Sequence, residues 1–225
     1  MNISLPAPPE VVRQRYNRLA RWYVLFEWIL WLPRGIRERA VRKLELRAGD
    51  RVLEVGCGTG RNLKYLEAAL GPGGHIFGVD LSEQMLARCR ALCEASGWRN
   101  VTLVHANALE YRSPEEVDAI LFSLSYCTML HRKRILGHVW SQLRPGGRLV
   151  LLEGKTMRGL LGRLLRPLIL LEMKATVLGD PDYSAWEDVQ ALTTDVEVEE
   201  ELLGGYFTCR GRKNIHGPGG DWGAG

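Results

Sequence analysis

The chain has 225 residues, 46% of them hydrophobic and 25% charged, with a net charge of +4, an ordinary globular composition that excludes disordered, collagen-like and low-complexity classes. Five cysteines are too few for a disulfide scaffold, and their odd number points to a reducing compartment. No apolar run approaches the ~18 residues of a membrane span; the longest, Trp22 to Leu32, is interrupted by Glu27. The first residues, MNISLPAPPE, lack the basic and apolar regions of a secretory signal, so the expected location is cytoplasmic.

Three stretches at residues 1–44, 45–210 and 211–225 differ in character. In the first, a Pro-rich start gives way at Glu10 to a segment without Gly or Pro that runs to about Leu32 and reads as helix. Leu19, Trp22, Tyr23, Phe26, Ile29 and Leu30 fall on one helical face. Its second half is apolar almost all round and demands burial in protein or lipid. Pro33-Arg34-Gly35 breaks it, and a short basic helix follows to about Leu44.

From Asp50 the rhythm changes to short apolar runs alternating with helical stretches. Strands are predicted at Arg51–Val55, His75–Val79, Val101–His105, Val117–Phe122 and Arg148–Glu153. Helices are predicted at Arg61–Leu70, Ser82–Ser96 with Ser82 as N-cap, and Leu130–Leu143, the last ended by Arg144-Pro145-Gly146-Gly147. Such alternation implies an α/β fold with a parallel sheet covered on both faces. A basic, Leu-rich insertion interrupts it at residues 155–180. A short helix near Trp186–Leu192 precedes two runs, Asp195–Leu202 and Tyr206–Arg210, that read as an antiparallel pair turning at Gly204-Gly205. Residues 211–225 read as a flexible tail.

Charge is unevenly spread. Residues 13–43 carry nine Lys/Arg against two acids, residues 155–174 five against one, and residues 180–201 nine acids with no base. Basic segments mixed with Trp and Leu suit an anionic membrane surface or a nucleic acid. They equally suit the solvated faces of ordinary helices.

The strongest chemical signal is the run Val52 to Gly60, in which an apolar strand ends in Glu54 and Gly56-Cys57-Gly58-Thr59-Gly60 then opens a helix. Glycines let a backbone turn sharply and approach a ligand closely. Asp80 ends the next strand, 20 residues after Gly60, the spacing at which a carboxylate accepts from ribose hydroxyls. An acid just before the glycines would repel a pyrophosphate and suit a ligand with an ammonium group. That combination points to S-adenosylmethionine.

These residues make the chain resemble the class I S-adenosylmethionine-dependent methyltransferases over roughly residues 40–155. The resemblance implies a Rossmann-like, doubly wound, seven-stranded sheet with its last strand antiparallel and an N-terminal helical lid. It assigns cofactor contacts to Glu54, Gly56, Gly58, Gly60, Asp80 and Leu81, to Asn107 and Ala108 where the family often has Gly-Asp-Ala, and to Ser123 in the fourth-strand motif. Asn107 is expected to accept from the adenine amine. The segment Arg15–Tyr23 is similar to the tyrosine-spaced N-terminus of two groups, the quinone C-methyltransferases and the bacterial phospholipid or betaine-lipid N-methyltransferases.

On the acceptor side, Tyr16, Tyr23 and Tyr126 offer faces for cation–π contact with a methylated ammonium, and His131 follows the fourth strand as a candidate proton acceptor. These features favour a membrane-lipid or other small amine as substrate, methylated by a protein peripherally associated with the membrane. The alternative is a small-molecule or quinone methyltransferase. A non-enzymatic nucleoside- or RNA-binding protein is the reading outside enzymes, though no motif points to nucleic acid. Cys89 and Cys93, four apart on one helix, read as packing residues rather than half of a metal site, and no metal ligand set is expected. His105 reads as structural, and Glu153 as either a headgroup-orienting acid or a cap.

Overall fold

The computed structural model describes residues 33–157 and 183–215, together with the helical positions Glu10, Val11, Gln14, Gly159, Leu164 and Pro167. Tyr16, Tyr23 and most of the Leu-rich insertion lie outside the described residues. In chain order the elements are α1 (Ile36–Arg42), β1 (Arg51–Val55), α2 (Leu63–Leu70), β2 (His75–Asp80), α3 (Glu83–Ser96), β3 (Val101–His105), β4 (Val117–Ser123), a 3-10 turn (Tyr126–Thr128), α4 (Arg132–Ser141), β5 (Leu143–Gly154), α5 (Ala185–Gln190), β6 (Val196–Glu201) and β7 (Tyr206–Arg212).

The seven strands form one sheet in the order β3-β2-β1-β4-β5-β7-β6. β1 to β5 are parallel and β7 runs antiparallel between β5 and β6. The chain winds outward from β1 to β3, then returns to the other side of β1 with β4. This reversal leaves a crevice at the carboxyl ends of the central strands, where such sheets bind ligands.

Period-two alternation sorts the strand side chains onto two faces. Leu53, Val55, Phe122 and Leu151 pack with Ile135, Val139 and Trp140 of α4 and Val189 of α5. Val52, Leu121, Val150 and Leu152 pack with Ile36, Ala40 and Val41 of α1, Leu66 and Leu70 of α2, and Cys89 and Cys93 of α3. Both faces are therefore dry, as the continuous apolar runs require. The five cysteines are free and buried. Among the described residues no helix is long and apolar enough to cross a membrane.

Ser82 caps α3, its hydroxyl accepting from the Met85 N–H. Of the boundaries that differ from those read in the sequence, three have a clear physical reason. α2 starts two residues late, because Cys57 to Asn62 wind into turns that bond Gly60 N–H to the Cys57 carbonyl at 3.0 Å and Leu63 N–H to the Gly60 carbonyl at 3.1 Å. β5 starts at Leu143, since Leu143 pairs with Val117 and Arg148 with Ala119, leaving Arg144–Gly147 as a bulge inside the ladder. That bulge is held by Lys213, whose N–H and carbonyl bond Gly147 and Gly146 at 2.9 Å each. Gly211 and Arg212, placed in the tail by sequence, are thus the end of β7.

The charge asymmetry has a structural partner. Arg39 of α1 pairs with Glu201 at 2.5 Å and Lys43 with Glu199 at 2.7 Å, both on β6. Arg42 lies 3.7 Å from Glu38 on its own helix. Two charges of the described basic helix, Arg39 and Lys43, are therefore turned to the acidic edge strand. The edge itself is exposed and charged, which discourages strand addition.

Candidate cofactor pocket

A cleft opens at the carboxyl ends of β1, β2, β3 and β4. Its walls are the loop Gly56–Thr59, the β2 end Asp80–Ser82, the segment Ala106–Leu109 after β3, and the segment Ser123–Ser125 after β4, with Thr128–His131 closing one side.

Two glycines shape the first wall. Gly56 has φ 74°, and a Cβ there would stand 2.6 Å from the Ser125 Cβ, so the β1 and β4 loops meet over this residue. Gly58 has φ 56° and no heavy atom within 4 Å of where a Cβ would point, so bare backbone faces the cleft. The Gly58 N–H donates to Asp80 Oδ2 and the Ser82 N–H to Asp80 Oδ1, each at 2.8 Å. Burial pushes the Asp80 carboxyl above its ordinary value, and those amide donors oppose the rise. Asp80 is thereby held with both oxygens fixed between the glycine loop and α3. Leu81, Asn107, Ala108 and Ser123 also line the cleft as expected.

Four expectations change: three are corrected by where the residues lie, and that for Asn107 is narrowed without being overturned. Gly60 does not reach the cleft; a Cβ there would lie 2.7 Å from Cys89 Sγ and 2.9 Å from Leu63 Cδ1, so its role is close packing of α2 on α3. Glu54 does not face the ligand space either. It is 1% exposed and its Oε1 accepts from Asn62 Nδ2 at 2.5 Å. Burial pushes its carboxyl up to about 7. The Asn107 side-chain oxygen, expected to accept from adenine, already accepts from the Leu109 N–H at 3.1 Å, which leaves it one lone pair.

Tyr126 is the fourth. It is fully buried, stacked edge-on against Phe122 at 5.3 Å, with its hydroxyl donating to Asp188 at 2.7 Å. Burial and then Asp188 push its phenol well above the ordinary value. Leu124, two residues before it, takes the left-handed φ of 57° as the chain leaves β4. No ammonium can reach its ring.

The wall after β4 is anchored from β5. Glu153 is 2% exposed, and its Oε1 accepts from the Ser125 N–H at 2.9 Å and the Tyr126 N–H at 2.6 Å. Burial pushes its carboxyl up to about 7, opposed by those backbone donors. Of its two expected roles, the structure places it as a cap for this loop. Ser125 Oγ completes the join by donating to the Val55 carbonyl at 2.7 Å. His131 opens α4 with φ 61° and stands exposed at the rim of the cleft. Left-handed non-glycine residues such as Leu124 and His131 cost about 1 kcal/mol or more each and collect at functional sites. His105 bonds the Leu81 carbonyl through Nε2 at 3.0 Å, a structural contact.

Sequence reasoning did not single out Arg37 or Asn62 as pocket residues. Arg37 of α1 reaches the cleft and donates through Nη1 to Ser123 Oγ at 2.9 Å and to Asn62 Oδ1 at 3.3 Å. Asn62 thus joins Arg37 to the buried Glu54. The clue for Asn62 was its place right after the glycine loop; Arg37 was one cation among nine over residues 13–43.

The groups lining the pocket fit S-adenosylmethionine. Asp80 offers a fixed carboxylate for a ribose diol, and Gly58 leaves room for close approach.

Residues 52–147 match the methyltransferase domain family. A demethylmenaquinone methyltransferase of Symbiobacterium thermophilum is 31% identical over 161 residues, covering 66% of this chain and 62% of that protein. The chain thus spans less than two thirds of the length of the curated relatives it matches. A chain of the Haloferax volcanii complex between the Trm112 methyltransferase activator and a methyltransferase superposes with a TM-score of 0.71 at 16% identity, covering 92% of this chain and 99% of that one. Phosphoethanolamine N-methyltransferase 2 of Haemonchus contortus, solved with phosphomonomethylethanolamine and S-adenosylhomocysteine, gives 0.70 at 16% identity, covering 90% of this chain and 60% of that one. At that identity the solved structures speak for the fold alone. The segment that matches a methyltransferase domain thus runs from β1 to the bulge of β5 and carries the loops that wall the cleft.

Proposed function

We propose that the protein methylates a small, quinone-type acceptor, with S-adenosylmethionine as donor. The observation that carries this reading is the 31% identity to a demethylmenaquinone methyltransferase, which extends over 161 residues and so beyond the matched domain. The acceptor side of the cleft supports it. Leu124, Met129, Leu130 and Ile135 make an apolar wall with His131 at its edge. Such a wall suits a flat ring more than a cationic headgroup. The lipid-amine reading draws on the Trp-rich segment 10–32, the Leu- and Arg-rich segment 159–171 and three tyrosines; Tyr126 is turned into the core, while Tyr16, Tyr23 and most of both segments fall outside the described residues.

When bound, S-adenosylmethionine supplies an electrophilic methyl group on a sulfonium. The protein's part is positioning and exclusion of water. Asp80 orients the nucleoside end. Ser125, held by Glu153 and by the Val55 carbonyl, fixes the wall opposite. For a hydroquinone acceptor, His131 would take the ring hydroxyl proton, the ring carbon would bond the methyl as the sulfonium leaves as a neutral thioether, and the proton on that carbon would then return to the ring oxygen to restore the hydroquinone.

The test is transfer of labelled methyl from S-adenosylmethionine by the full chain to a reduced naphthoquinone and, in parallel, to phosphatidylethanolamine vesicles. Label in the naphthoquinol is expected. Label in the lipid alone would move the assignment to the lipid amine. Binding of the cofactor without transfer to either acceptor would favour a non-catalytic nucleoside-binding protein.

A further inference from the structure

We infer that Arg37, which lies outside the matched methyltransferase domain, holds the carboxylate of the cofactor's amino-acid end. The inference rests on S-adenosylmethionine occupying the cleft, as proposed above.

The strand order sets the direction in which a long ligand lies. Across the carboxyl ends the strands run β3, β2, β1, β4. The base-side segment Asn107-Ala108 follows β3, the ribose acid Asp80 ends β2, and the glycine loop follows β1. The amino-acid end therefore lies toward β4. At the end of β4 stands Ser123, and on it the Arg37 guanidinium, 2.9 Å from Ser123 Oγ. The end of the ligand that carries a carboxylate meets a guanidinium, whose fork of donors matches a carboxylate.

The placement of Arg37 is rigid. Ile36, Ala40 and Val41 on the same helix are buried in the core, and Arg39 and Lys43 tie that helix to β6. Asn62 has its amide orientation set from both sides, since its Nδ2 donates to Glu54 and its Oδ1 accepts from Arg37. Glu54 lies behind that amide nearly free of solvent, and the Arg37 guanidinium opposes the rise that burial imposes on its carboxyl. The buried acid before the glycines thus acts on the ligand through Asn62 and Arg37, as a positioning residue. Arg61 also lines the cleft, but it is an exposed residue after the glycine loop, whereas Arg37 stands at the Ser123 end of β4.

Calorimetry with S-adenosylhomocysteine and its decarboxylated analogue tests this directly. The wild-type protein should prefer S-adenosylhomocysteine by roughly ten- to a hundredfold, the range for charge-assisted hydrogen bonds. Arg37→Met should abolish the preference by weakening S-adenosylhomocysteine alone, and Arg37→Lys should restore part of it. Arg61→Met should keep the preference. Equal weakening of both ligands by Arg37→Met, an unchanged affinity for S-adenosylhomocysteine, or transfer of the effect to Arg61→Met would each overturn the assignment. Wild-type binding of both ligands with equal affinity would overturn it while leaving the cofactor reading intact. No binding of either ligand would remove both. A thermal melt of each variant separates loss of the contact from loss of the fold, and Arg37→Lys supplies the answer if Arg37→Met does not fold.

Discussion

The two walls of the cleft are built by different means. The nucleotide wall, from Gly56 to Ser82, is held within one β-α-β unit: the Asp80 carboxylate takes the Gly58 amide from the preceding glycine loop and the Ser82 amide beside it. The acceptor wall, from Ser123 to His131, is held by a residue 28 positions away, the Glu153 carboxylate under Ser125. A site of the first kind is written in a short motif. A site of the second kind depends on what a distant strand brings beneath it, so the acceptor can vary while the cofactor wall stays the same.

The sharpest way to break this arrangement is at the seam between the walls. Gly56→Ala puts a Cβ 2.6 Å from Ser125 Cβ at φ 74°. Left-handed strain and overpacking together should cost about 2–5 kcal/mol, read as a lower denaturation midpoint. Asp80→Ala touches the nucleotide wall alone. It should weaken S-adenosylhomocysteine at least ~10-fold, because hydrogen bonds to a charged group are worth ~1.5–3 kcal/mol. An unchanged affinity in a folded Asp80 variant would remove that residue from the ribose.

The acceptor wall should respond in the opposite way. Glu153→Ala strips the partner from two backbone N–H groups, at about 1–3 kcal/mol for each left unsatisfied. The loop should loosen, kcat should fall, and affinity for S-adenosylhomocysteine should stay within about twofold. Comparable losses in kcat and cofactor affinity would mean that the two walls do not act separately.

The same contrast explains what the sequence revealed. β1 and β3 were read to the residue, since each is an apolar run bounded by turn formers. Gly56, Gly58 and Asp80 followed from spacing. The bulge in β5 was hidden because Lys213, some 66 residues beyond Gly147, holds it. Glu54 was misdirected for a different reason. In a sheet buried on both faces, strand alternation carries no polar signal to say where a side chain points, and only Asn62 shows that Glu54 faces inward. Tyr126 was read as substrate-facing because its buried partner, Asp188, lies far along the chain. Arg37 was hidden among the other cations of its segment.

A pH series sharpens the comparison further, since one buried acid lies behind each wall. Burial pushes both Glu54 and Glu153 up to about 7 from an ordinary 4.5. Between those values the folded state binds more protons than the unfolded chain, so stability falls as pH rises. The contribution of each acid is fully present below about 4.5 and is lost as pH passes about 7. Its size is on the order of a few kcal/mol. Urea melts of the wild type should therefore show a fall between these limits that Glu54→Gln and Glu153→Gln each reduce. A slope that neither variant changes would mean that other groups carry it.

The smallest effect is expected at Tyr126. Its hydroxyl is one of two that donate to Asp188 Oδ2, the other being Tyr183 at 2.6 Å, while Lys133 lies 3.4 Å from Oδ1. Tyr126→Phe leaves the ring packed on Phe122 and leaves Asp188 with both remaining partners. The loss should be about 1.5 kcal/mol, the low end for a hydrogen bond to a carboxylate, because those partners remain, seen as a small fall in Tm. Methyl transfer should change less than twofold, because the phenol faces α5 and not the cleft. A folded Tyr126→Phe protein with a tenfold lower kcat and an unchanged Tm would show that the ring does reach the acceptor. It would also join the two walls that Glu153 and Asp80 otherwise keep apart.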